Sequence, residues 1–180
     1  MNKGSNLLEY FLIIGLDPEI YKNEWLYFEP LETIREKYKD EIKPKIISQF
    51  PPFKKTTCSF DESIIDYCFP EGFNLIKNRS NDLKEKMFCF ILPNRNYNEK
   101  YPNKYFSCII FYEKISNYRK LYDAKAKYNN NLNKKLDNKE DNQKINDLYI
   151  PKCLLLISLY PYFTILEKIN KEIYNYSLKI

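Results

Sequence analysis

The chain has no histidine. That removes the side chain most often used for acid–base work near neutral pH and the commonest metal ligand. Three glycines in 180 residues leave no Gly-rich loop of the kind that cradles phosphates. The five cysteines, Cys58, Cys68, Cys89, Cys108 and Cys153, are odd in number and include no CxxC pair. Zinc sites of the Cys/His kind therefore lack both spacing and partners, and no metal is expected. No apolar run reaches the ~18 residues of a membrane-spanning helix. The opening stretch MNKGSNLLEYFLIIGLD resembles a signal peptide only in its lysine and short apolar run. Glu9 interrupts it, no small-residue cleavage site follows, and it reads as a strand.

What is present is oily and aromatic. Hydrophobic residues make up 44% of the chain and aromatics 17%, with 17 Tyr and 12 Phe. A chain of this length and content can bury a real core. Cys89, Cys108 and Cys153 lie inside apolar runs, where cysteine behaves as a small hydrophobe, so reduced core thiols are expected. The net charge is +5, from 29 basic and 24 acidic residues spread along the chain. That fits weak attraction to anionic surfaces and gives no footprint for nucleic acid.

LLEYFLIIGL, residues 7–16, is apolar on both faces and predicts a buried strand ended by Gly15 and Asp17-Pro18. A short helix is expected within Pro30–Ile42, where Leu31, Ile34 and Tyr38 fall at helical spacing. PKIISQFPP, residues 44–52, reads as an edge strand stopped by paired prolines. In DESIIDYCFPEGF, Asp61 is positioned to cap a brief helix over Ser63–Phe69 that Pro70 and Gly72 close. Met87–Pro93 and Lys104–Ile115 predict an antiparallel hairpin with a long polar tip.

Residues 116–148 turn Asn/Lys/Asp-rich without apolar period and read as a solvated insertion expected to be disordered. Tyr149–Ser158 is a further buried strand. Pro161 then sits where the first turn of a helix accepts proline, and Tyr162, Leu166, Ile169, Ile173 and Tyr176 recur at helical steps as one apolar face. The whole is read as one α/β (α+β) domain over residues 1–180, with insertions at 18–43 and 116–148. The expected element order is β-β-α-β-β-β-α. The sheet is five-stranded and mainly antiparallel, its two most apolar strands, the first and last, lie in the middle, and helices cover it.

These pieces in this order resemble the upstream lobe (uDENN) of the DENN domain family. The most specific are Ser107-Cys108 ahead of an apolar run, Pro151-Lys152-Cys153, and Tyr160-Pro161 with Tyr162 and Phe163 leading into a helix. The resemblance spans about residues 7–178 outside the two insertions and implies a longin-like fold. It implies guanine-nucleotide exchange on a Rab-family small GTPase in vesicle trafficking, in the cytoplasm with peripheral membrane association. Members of the family seat the GTPase against both this lobe and a central one, and a central lobe is expected beyond Ile180. Exchange needs no acid, base, nucleophile or cofactor, only tighter binding of the nucleotide-free GTPase.

Two other functions remain open: a longin-like trafficking adaptor without exchange activity, and a GTPase-activating element. The latter rests on Arg95, in the loop before the Tyr105-Phe106 strand, where folliculin, of similar architecture, places an arginine finger. The plainer reading of Arg95 is a solvated loop residue. Asp61, Glu62 and Asp66 are conceivable metal or acid–base groups, with helix capping the simpler assignment. FPEGF, residues 69–73, is either a partner contact or a hydrophobic plug. The basic stretch 117–131 is a membrane-surface candidate or a solvated loop. No individual partner-binding residue is singled out.

Overall fold

The strand that begins at Leu148 organises everything else. The computed structural model describes residues 6–23, 26, 29–52, 60–77, 83–94, 101–114 and 148–178. In chain order its strands are β1 (Tyr10–Leu16), β2 (Pro44–Phe50), β3 (Ile76–Lys77), β4 (Lys86–Pro93), β5 (Asn103–Lys114) and β6 (Leu148–Ser158). The helices are α1 (Leu31–Lys37), α2 (Ile64–Cys68) and α3 (Phe163–Ser177), with a 3-10 turn over Pro18–Lys22. The sheet order is β2-β1-β6-β5-β4, every pair antiparallel, with the two-residue β3 pairing beside β6. This is the expected five-stranded longin-like sheet with one short addition.

β6 is the middle strand and is buried at every position except Lys152. A run with no polar break, CLLLI, suits a strand covered on both faces. Its neighbours are β1, in the register Tyr10↔Ile157 to Ile14↔Cys153, and β5, in the register Tyr105↔Ser158 to Lys114↔Tyr149. Lys152 escapes burial by pairing with Glu113 at 2.7 Å on the adjacent strand.

Strand alternation sorts the core into two faces. Tyr10, Leu12, Ile14, Phe106, Cys108, Cys153, Leu155 and Ile157 pack with Ile64, Cys68 and Phe69 of α2 and the residue after it. Phe11, Ile13, Ile109, Phe111 and Leu154 face Ile173 and Tyr174 of α3. A further cluster, Leu16, Leu26, Ile34, Leu75, Leu148 and Ile150, fixes α1 at one end of the sheet. Each fully buried Leu or Ile here contributes about 1.5–3 kcal/mol.

Several sequence expectations shift. β1 begins at Tyr10, not Leu7, and Gly15 lies inside it, not at its end. The helix expected within 30–42 is only Leu31–Lys37, with Pro30 at its N-cap. α2 is also shorter than expected, and its N-cap is Ser63, without a side-chain capping bond. Asp61 acts one step earlier: its Oδ1 accepts the Ser63 N–H at 2.9 Å and also the Ser63 hydroxyl, pinning the turn ahead of the helix.

The apolar face expected on α3 is rotated. Leu166, Asn170 and Tyr174 are buried at four-residue steps, and Ile169 and Ile173 are half-buried. Tyr162 and Tyr176 are exposed, at 49% and 68%. The reason is Asn170: a polar residue on the buried stripe hides the true period from a hydrophobic count. Tyr162 is the N-cap, so Pro161 lies before the helix and not in its first turn. The insertion expected at 116–148 falls, apart from Leu148, outside the described residues. No helix among the described residues is long and apolar enough to cross a membrane.

Candidate partner-binding surface

β2 and β4 form the two edges of the main sheet, and β4 is the more apolar. Its side chains alternate. Phe88, Phe90 and Leu92 pack toward the α2 face. Met87, Cys89 and Ile91 point to the α3 side, where Cys89 Sγ lies 3.5 Å from Glu167 Oε1. Met87 (43%) and Ile91 (50%) are exposed, as are Tyr162 (49%) and Ile165 (46%) at the start of α3. Among the described residues no strand pairs with the outer side of β4; a sheet edge carries unpaired backbone donors and acceptors, and this one adds apolar side chains beside them.

On the other face a cleft of about 210 Å³ opens beside the same strand, between Asp61, Ser63 and Tyr67 on one wall and Leu92, Lys104 and Phe106 on the other. Two of its lining residues, Tyr67 and Phe106, both stack on Phe90. Tyr67 lies over Phe90 at 5.9 Å between ring centroids, and Phe90 over Phe106 at 4.7 Å. At the far end of β4, Lys86 pairs with Glu71 at 2.6 Å. Glu71 belongs to the 69–73 loop, where Gly72 takes φ +85° and Phe69 is buried edge-on against Phe73 at 5.0 Å. Phe69 and Phe73 pack on the core cluster, as the plug assignment expects.

Two internal features hold this surface in place. Asn170 of α3 is fully buried and its Nδ2 donates to Ser107 O (2.9 Å), Ser107 Oγ (3.3 Å) and Leu154 O (3.2 Å), tying the helix to β5 and β6. Beneath α2, Cys68, Cys108 and Cys153 bring their sulfurs within 4.8 Å of one another, each thiol free and fully buried. Hydrogen bonds from the Cys108 and Cys153 thiols push Cys68 below the usual thiol range, while burial pushes Cys153 well above it. Cys89, outside the trio, is pushed up to about 11, chiefly by desolvation.

Asp61, Glu62 and Asp66 are exposed, and among the described residues only the three thiols meet the spacing of a metal-holding group. Arg95, Cys58 and the basic stretch 117–131 lie outside the described residues. Sequence reasoning missed the clamp at Asn170, the apolar edge at Met87 and Ile91, and the meeting of three cysteines. The signal for the edge was present in MFCFIL, an unbroken apolar run whose side chains a strand must divide between two faces. The signal for the thiols needed the strand register.

No curated protein and no solved structure matches the chain. The family model that does match is that of the uDENN domain, and it covers residues 44–111, from the start of β2 through Phe111 of β5. The edge strand β4, α2 and the Ser107-Cys108 pair all lie inside that span, which is similar to the uDENN domain, the upstream lobe of the DENN family.

Proposed function

We propose that the chain serves as the upstream lobe of a DENN-type guanine-nucleotide exchange module for a Rab-family GTPase, in the cytoplasm and peripherally on vesicle membranes. The uDENN match over residues 44–111 is the observation that carries this reading. The β4 edge, with Met87 and Ile91 exposed, is the surface assigned to the GTPase. Its backbone groups would fix register and its apolar side chains would supply buried area.

The chemistry asked of such a surface is differential affinity. A partner that grips the nucleotide-free GTPase 100-fold more tightly than the GDP-bound form shifts that equilibrium by about 2.7 kcal/mol, and no side chain need transfer a proton. The test is release of fluorescent GDP from a panel of Rab proteins mixed with this lobe joined to a central DENN lobe, alongside capture of the nucleotide-free forms. Accelerated release from at least one Rab, weakened at least tenfold by Met87→Glu with Ile91→Glu, is expected. Capture without acceleration would replace exchange with the adaptor reading. Absence of both would end the Rab assignment.

A further inference from the structure

The thiol trio has no part in the proposed contact with a GTPase. Cys68 ends α2, Cys108 sits in β5 and Cys153 in β6, so residues 40 and 45 positions apart converge on one point. Cys153 and Cys108 are 3.2 Å apart, and all three sulfurs lie within 4.8 Å. The surrounding shell, which includes Tyr10, Phe69, Phe106 and Leu155, is apolar. A core needing only bulk at this point is filled as well by alanine or valine, and three convergent thiols are a chemically distinct choice.

We propose that Cys68, Cys108 and Cys153 form a three-sulfur site for a soft monovalent ion, copper(I). The donor set decides the class. Three sulfurs without an oxygen or imidazole select a thiophilic ion over magnesium, calcium or manganese. Among the described residues no further Cys, Asp or Glu joins the group, so the fourth ligand that tetrahedral zinc takes is not supplied there. A trigonal ion with metal–sulfur bonds of about 2.3 Å holds its sulfurs about 4 Å apart. The observed separations, from 3.2 Å to under 4.8 Å, bracket that value. Side-chain rotation therefore suffices to seat the ion.

No redox step is involved: copper enters already reduced, and each sulfur that ligates it gives up its thiol proton to solvent as the metal–sulfur bond forms. Three thiolates around one Cu⁺ leave two negative charges that an apolar shell disfavours, so uptake should strengthen as pH rises. The trio is sealed from solvent, so loading accompanies folding or outward movement of the five-residue α2, which carries Cys68.

The experiment is an anaerobic titration of the reduced full chain with copper(I) held by a competing chelator. X-ray absorption of the product then counts the sulfurs. One copper per chain with three sulfurs at about 2.3 Å is expected, with a raised melting midpoint. Cys68→Ala, Cys108→Ala and Cys153→Ala should each lose more than about tenfold in affinity, and Cys89→Ala should not. A wild-type chain that takes up no copper against the chelator, or holds it through two sulfurs or through oxygen, overturns the proposal. So does a triple alanine variant that binds as well as wild type. The wild-type titration decides the matter even where the variants do not fold. It is also independent of the Rab assay, so either reading can fail alone.

Discussion

Replacing Asn170 by aspartate alters a few atoms and should nearly detach α3 from the sheet. The Asn170 side chain is fully buried, and its NH₂ group faces three acceptors, Ser107 O, Ser107 Oγ and Leu154 O, at 2.9 to 3.3 Å. Asparagine meets them with two N–H donors; an ionised aspartate meets them with an oxygen. Losing the donors costs about 0.5–1.5 kcal/mol per bond. A buried charge left without a partner brings the loss to about 3–5 kcal/mol, against a total stability of about 5–15 kcal/mol. Asn170→Ala, which removes the donors without adding charge, should cost about 1–3 kcal/mol.

The aspartate can relieve its charge only by taking a proton, so its folded pKa lies above the unfolded value of about 3.9. The sign follows. The folded state binds that proton more tightly than the unfolded state does. The deficit of Asn170→Asp relative to wild type is therefore largest at neutral pH and shrinks as pH falls through the raised folded pKa. Urea unfolding followed by far-ultraviolet circular dichroism at pH 7 and pH 5, on both proteins, measures that difference directly. An aspartate variant within about 0.5 kcal/mol of wild type, where exposed-surface changes fall, would refute the clamp. A large deficit that does not change between the two pH values would refute its electrostatic origin.

Two further outcomes are expected. A Cβ at Gly15 would meet Ile47 Cδ1 at 2.8 Å and Lys152 Cγ at 3.3 Å. Gly15→Ala should stay within about 1 kcal/mol, because a strand alanine gains about 0.5–1 kcal/mol and the tip of Ile47 can turn aside. Gly15→Val should cost about 1–3 kcal/mol in the same unfolding assay, and equal stability of both variants would contradict the close approach. Cys89, with its thiol pushed up to about 11 by burial, should alkylate slowly at pH 7 and accelerate about tenfold per pH unit toward that value, since only the thiolate reacts. Peptide mapping after iodoacetamide at pH 7, 8 and 9 reads this, and a flat profile would contradict it.

The strands were legible because they announce themselves locally. CLLLI has no polar position, and MFCFIL and SCIIFY sit either side of a polar tip, so the hairpin and the central strand follow from pattern alone. The placement of β1 and β6 in the interior followed from the same logic: the two most apolar runs are adjacent, in the register Tyr10↔Ile157 to Ile14↔Cys153. The ends of elements were read less well. Leu7 is as apolar as Leu12 but is 36% exposed, because pairing with β6 begins only at Tyr10. The α3 stripe was misread because one buried position is a polar residue whose partners are backbone oxygens on two strands. A count of hydrophobic side chains cannot see such partners.

The thiols show where sequence pattern stops and register begins. Alternation alone places Cys108 and Cys153 on faces of their own strands but does not say whether those faces coincide. The pairing Ile110↔Cys153 answers that: it sets Cys153 opposite the residue two along from Cys108, on the same side of the sheet. A slip of one residue would turn Cys153 toward α3 and scatter the trio, since strand side chains alternate with period two. What holds the register is the burial of Leu154, Leu155, Leu156 and Ile157 on both faces at once and, in mid-strand, the clamp of Asn170 on Ser107 and Leu154. The clamp and the thiol site are thus physically linked, although they lie on opposite faces: an Asn170 variant that loosens β5 against β6 should also weaken any ion held between Cys108 and Cys153.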